Sequence, residues 1–133
     1  MKGKYVLDTG PMLLYFAGDL EARSFFIEIA NGRAEGYTCE MNMAELYYKT
    51  CERFGRETAA IREASIRNSS ISVIPMDQQL THMAGGLKCR HKGILSLTDA
   101  YLLAAAKMLK GTLVTTDSVL ESLNLVNVKL IPI

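Results

Sequence analysis

A chain of 133 residues that is 49% apolar and 22% charged has ordinary globular usage, which excludes collagen-like, mucin-like and disordered classes. That length suits one domain and leaves no room for a second catalytic lobe. Lys+Arg 15 against Asp+Glu 14 leaves a net charge of +1, so there is no overall basic field, and any nucleic acid must be met by a local patch.

Taken in chain order, Tyr5-Val6-Leu7 is a short apolar run that reads as a buried strand. Asp8-Thr9-Gly10-Pro11 ends it and opens a helix to Gly18, because proline is tolerated in a first helical turn. Asp19 caps a second helix whose Leu20, Phe25, Phe26, Ile29 and Ala30 favour one face, with Gly32 as its stop. Tyr37-Thr38-Cys39 reads as the second strand. Asn42 followed by Glu45 has the capping-box spacing, so a third helix is expected to open there and run to Gly55, and a fourth to span Glu57 to Asn68. Ile71-Ser72-Val73-Ile74, before Pro75, is the third strand. Asp77 caps a helix that Gly85-Gly86 weakens ahead of the basic run Lys88-Cys89-Arg90-His91-Lys92. Ser96, with Asp99 three residues on, starts a long helix through Ala104-Ala105-Ala106 to Lys110. Gly111 ends it before the strand Thr112-Leu113-Val114-Thr115. Thr116-Asp117-Ser118 turns into a short helix, and Val128 to Ile131 is the last strand. Strands alternating with helices, without hairpin turns between them, predict an α/β fold with a mostly parallel sheet and helices on both faces.

An odd set of three cysteines without a C-x-x-C suits a reducing compartment, so a cytoplasmic location is expected. The start, Met1 to Asp8, meets charge too soon for a signal-peptide core. The apolar stretch Ala100 to Ala106 is bounded by Asp99 and Lys107, far short of the roughly 20 residues that span a bilayer, so no membrane segment is expected.

In a right-handed strand–helix–strand unit, strand carboxyl ends and the amino ends of the following helices share one edge of the sheet, where ligands bind. Asp8 ends the first strand and Asp117 follows the strand closing at Thr115. Glu45 and Asp99 fall in the first turns of helices, so all four are expected on one rim. Each alone has a plain structural reading. Glu45 and Asp99 fit as capping partners of Asn42 and Ser96, and Asp117 fits as a turn or cap residue. Together they are costly: two carboxylates 4 Å apart repel by about 4 kcal/mol at an effective dielectric of about 20. Protonation or a cation relieves that cost, and carboxylate oxygens with open water positions suit Mg²⁺ or Mn²⁺, which commonly work on phosphate oxygens.

These residues resemble the PIN domain family, and within it the VapC-type toxin ribonucleases. The resemblance covers essentially the whole chain, as a single three-layer α/β/α PIN-like domain over 1–133. It is carried by Val6-Leu7-Asp8-Thr9, Asn42-Met43-Ala44-Glu45-Leu46-Tyr47-Tyr48, Leu97-Thr98-Asp99-Ala100 and Leu113-Val114-Thr115-Thr116-Asp117, in that order. It implies a metal-dependent endoribonuclease in which Asp8, Asp99 and Asp117 hold one or two Mg²⁺ or Mn²⁺ ions. Glu45 then orients or deprotonates the attacking water, with Thr9 and Thr116 in the outer shell. It also implies an RNA substrate, a homodimer and a cognate antitoxin protein. Two positions depart from the family: Gly10 stands where it often has serine or asparagine, and Val119 and Leu120 stand where an aromatic often follows the last acidic segment.

Other readings are weaker. Asp8-Thr9-Gly10 matches an aspartic-protease triplet, but those enzymes are nearly all β, and here long helical patterns follow. A receiver-like phosphoacceptor domain also carries acidic residues and Mg²⁺ on a sheet rim, yet wants an acidic pair after the first strand and a late Lys-Pro. Cys89 and His91 with His82 lack zinc-ligand spacing. The run from Lys88 to Lys92 could meet RNA phosphates but reads first as a solvated face. Tyr47 and Tyr48 could stack on bases, although helical spacing assigns at least one to core or dimer surface. From a different class, a catalytically silent PIN-like binding module would turn the acidic rim to a partner's arginine. The presence of all four acids argues against it.

Overall fold

The computed structural model describes residues 2–133. In chain order it contains β1 (Gly3–Leu7), α1 (Thr9–Phe16), α2 (Leu20–Ala30), β2 (Ala34–Cys39), α3 (Glu40–Phe54) and α4 (Arg56–Arg67). Then follow β3 (Ile71–Ile74), α5 (Gln78–Arg90), α6 (Leu97–Leu109), β4 (Thr112–Thr115), α7 (Ser118–Ser122) and β5 (Asn127–Leu130). The five strands form one sheet in the order β3-β2-β1-β4-β5, and every pairing is parallel.

Strand alternation divides the core. Val6 and Leu113 face the layer of α5, α6 and α7, packing with Leu80, Leu103 and Leu120. Their neighbours Leu7 and Val114 face the layer of α1 to α4, with Met12, Phe26, Leu46 and Ile66. Period-two alternation thus sends successive residues of a central strand into two separate cores, giving the expected three layers. Close helix-to-sheet contact on the second face depends on Gly36, where an added Cβ would come within 2.6 Å of Ile29 Cδ1. The run Ala100 to Ala106 is buried throughout, as a helix packed on all sides. Among the described residues no helix is long and apolar enough to cross a membrane.

Several helix starts match local chemistry. Asp19 accepts from the Ala22 N–H at 2.9 Å and Asp77 from Leu80 at 2.8 Å, each satisfying an otherwise unpaired first-turn donor. The third helix does not begin at a capping box. β2 passes directly into α3 at Glu40, whose N-cap is Cys39 with no side-chain bond, so Asn42 lies inside the first turn and Glu45 in the second. Gly85-Gly86 does not interrupt α5, which continues through the first part of the basic run to Arg90. There the Lys88 ammonium donates to the Leu95 carbonyl at 2.8 Å and ties down the loop before α6, instead of standing free for phosphate.

The sheet order reverses at β1: β2 and β3 are added on one side, β4 and β5 on the other. Open parallel sheets form a ligand crevice at such a switch, outside the strand carboxyl ends. Asp8 leaves β1 there, and Thr115 closes β4 beside it.

Candidate active site

Asp8 is anchored from three directions. Its backbone N–H donates to the Val114 carbonyl at 2.9 Å, prolonging the β1–β4 ladder by one bond. As the N-cap of α1, its Oδ1 accepts from the Thr9 N–H at 2.7 Å and from Asn42 Nδ2 at 3.3 Å. Its Oδ2 accepts from the Thr115 hydroxyl at 2.7 Å. Thr9, buried at the start of α1, extends this network: its hydroxyl donates to Glu45 Oε1 at 2.7 Å and accepts from Asn42 Nδ2 at 3.0 Å. Glu45 therefore turns towards Asp8 and Thr9, and the capping partnership with Asn42 is not formed.

Asp99 and Asp117 are held differently. Asp99 sits in the first turn of α6, where its N–H donates to the Ser96 hydroxyl at 3.1 Å, and it is half-buried. Asp117 is exposed. It caps α7 by accepting from the Val119 N–H at 2.9 Å, and its own N–H donates to Thr115 Oγ1 at 3.1 Å. Asp117 thus caps its helix with its carboxylate, whereas Asp99 joins the Ser96 cap through its backbone N–H.

Burial pushes the Asp8 carboxyl up to about 6; bonds from Thr115 and Thr9 pull it down, while the charges of Asp99 and Glu45 push it further up. Asp99 is also raised, first by burial and then by Asp117 and Glu45, against the opposing bonds with Ser96. The four acids therefore form one electrostatic unit: Asp117 acts on Asp99, Asp99 on Asp8, and Glu45 on both. The ion pairs of the described residues, Arg67 with Glu40 and with Glu63, lie elsewhere and include none of the four. Beneath the rim, burial and the Asp8 charge lift the Cys39 thiol to about 12, so it is a packed apolar group and not a nucleophile.

Unrelieved negative charge and hard oxygen donors fit a divalent cation. The carboxylates are not drawn into a finished cage: among the described residues no three His, Cys, Asp or Glu side chains stand close enough to hold an ion as placed. The donor chemistry is present, held open.

Two hydroxyls of the β4 end border the site. Thr115, which the sequence reading passed over, bonds Asp8, whereas Thr116 packs over Gly10, where an added Cβ would lie 2.5 Å from Thr116 Oγ1. The space a side chain at position 10 would fill is thus already taken by a hydroxyl from the β4–α7 turn. Asn42 is the second group missed, because its spacing to Glu45 looked like a cap. The parity of β4, which sets Leu113 and Thr115 on one side, was the available signal for Thr115.

A sequence model of the PIN domain matches residues 5–124. No curated protein matches the sequence. Among solved structures, the chain resembles VapBC2 from Rickettsia felis bound to a DNA fragment from its promoter, with 18% identity and a TM-score of 0.76 over 95% of this chain and 97% of that one. It also resembles VapC20 from Mycobacterium tuberculosis, a sarcin-ricin loop cleaving toxin, with 19% identity and a TM-score of 0.74 over 94% and 98%. DNA-bound VapBC from Salmonella typhimurium is similar at 18% identity and a TM-score of 0.75 over 96% and 97%.

Proposed function

Since this chain belongs to the PIN domain family, we propose that it is a divalent-metal-dependent endoribonuclease and the toxin of a VapBC-type toxin–antitoxin pair. The observation that carries the reading is the convergence of Asp8, Glu45, Asp99 and Asp117 into one unneutralised electrostatic unit at the switch point of a parallel sheet.

Asp8, Asp99 and Asp117 are the residues that would hold Mg²⁺ or Mn²⁺. Asp8 does so from a fixed position, since three donors already orient its carboxylate. Bound there, such a cation supplies relief of the mutual repulsion, charge for a phosphate oxygen and a lowered pKa for water. Glu45 keeps Oε1 occupied by Thr9 and has Oε2 free, which suits it to orient the attacking water and take its proton. Thr9 holds Glu45 in that orientation, and Thr116 closes the floor beside Gly10.

The partners follow the same proposal: an RNA substrate, a cognate antitoxin protein and a second copy of the chain, in the cytoplasm. Incubating the purified protein with end-labelled RNA, with and without Mn²⁺, Mg²⁺ and chelator, tests the activity. Divalent-dependent internal cleavage that Asp8→Asn abolishes is expected, and full cleavage by Asp8→Asn overturns the assignment. Sedimentation of the protein alone tests the homodimer.

The spacing of the carboxylates favours one second reading, a silent module whose rim takes a partner's arginine. Crystals soaked in Mn²⁺ separate the two. Anomalous density between Asp8, Asp99 and Asp117 supports the enzyme, and an empty rim at millimolar metal supports the binder.

A further inference from the structure

We propose that Asn42 is a positioning residue: it fixes the direction of the hydrogen-bond chain from Asp8 through Thr9 to Glu45. The argument is a proton count. A primary amide has two N–H protons, and the Asn42 amide faces two acceptors, Asp8 Oδ1 at 3.3 Å and Thr9 Oγ1 at 3.0 Å. A threonine hydroxyl that accepts from the amide keeps a single proton to give, and it gives it to Glu45 Oε1 at 2.7 Å. Without the amide, nothing that the hydroxyl accepts from holds its proton on Glu45.

Two further observations point the same way. Asn42 is fully buried, yet its Oδ1 has no hydrogen-bond partner. Buried polar atoms are rarely left unpaired, and those that are call for an explanation. Turning the amide over would bring that oxygen against the Asp8 carboxylate, acceptor to acceptor, so the orphaned atom is the cost of keeping the N–H₂ group on the site. Nor does helix capping account for the residue, since α3 starts at Glu40 and its N-cap makes no side-chain bond.

The catalytic consequence rests on the ribonuclease reading, but the geometric one does not, and the test keeps them apart. Carbon-13 labelling of glutamate gives a Glu45 carboxyl resonance, identified by its absence in Glu45→Gln. At fixed pH in chelator, Asn42→Ala and Thr9→Val are expected to move it in the same direction, and the double variant to move it no further than Thr9→Val alone. A Glu45 resonance that Thr9→Val shifts and Asn42→Ala leaves in place overturns the proposal. Asn42→Leu, which keeps the volume without a donor, carries the same comparison if thermal melts show Asn42→Ala unfolded.

In the cleavage assay we expect Asn42→Ala to lower kcat about tenfold with KM little changed, and the double variant to be no worse than Thr9→Val. Multiplied losses in the double variant argue for independent roles and against a relay. If wild-type protein cuts no RNA with either metal, the ribonuclease reading falls, and the resonance comparison alone decides the role of Asn42.

Discussion

The two halves of the acidic rim are built by different means. Around Asp8 and Glu45, the hydrogen bonds join residues 36, 34 and 107 positions apart, from α1, α3 and β4. Around Asp99 and Asp117, the bonds reach only 3 and 2 residues along the chain, and each belongs to the start of its own helix. The first half adds to Asp8's own cap of α1 a set of bonds that only tertiary structure makes. The second is assembled by helix capping and would form wherever those helices form. A site made this way has a fixed reference oxygen pair on Asp8 and two outer carboxylates placed by the helices that carry them.

The sharpest way to break the contrast is at its fixed end. Asp8→Asn should reduce divalent-dependent cleavage by about two to three orders of magnitude in a gel assay, the scale of losing a group that stabilises developing charge. Retention of more than a tenth of the rate would show that Asp8 is not the anchor. At the outer end, Asp117→Asn should cut activity about tenfold to a hundredfold. Melting in chelator should hardly change, because asparagine caps a helix as well as aspartate does. A melting temperature that drops with activity would mean the cap, and not the charge, was lost.

Acid–base linkage separates the halves next. Raised to about 6 against an ordinary 3.8, folded Asp8 holds a proton that the unfolded chain has already released. Between about pH 4 and 6 the unfolded state therefore binds fewer protons, and stability falls as pH rises, by at most about 3 kcal/mol. Urea titrations in chelator across this window should show a steeper fall in wild type than in Asp8→Asn, where only raised Asp99 remains. Parallel curves for the two proteins would exclude Asp8 as its source. The smallest effect is expected from Asp99→Asn, which removes a partly buried charge repelled by its neighbours. It should raise the melting temperature in chelator by about 3 °C, for about 1 kcal/mol in a chain of this size. A decrease would mean that the bonds with Ser96 outweigh the repulsion.

The same division explains what could be read without coordinates. Asp19, Asp77, Ser96 and Asp117 cap helices through bonds to residues two or three away, so short-range spacing was sufficient to find them. The alternation of strands with helices, without hairpin turns between them, also predicts the parallel sheet. Asn42 was misread because capping-box spacing is a local rule, while its actual partners, Asp8 and Thr9, are 34 and 33 residues away. Thr115 is legible only through strand parity, which puts it on the Leu113 side of β4, and its bond to a residue 107 positions away is not a local signal. That the space beside Gly10 is filled by a hydroxyl from the β4–α7 turn is a packing relation between distant segments, which no single window of sequence displays.

Seven consecutive residues of α6, Ala100 to Ala106, are shut away from water on every side, and Asp99 stands at the end of that column. Bulk added at Ala104 or Ala105 has no outward direction in which to escape, so the column itself must slide or tilt and carry the carboxylate with it. The spacing of the negative edge is thus governed from the oiliest part of the molecule. Retuning the spacing of that edge could begin with alanines that never reach it.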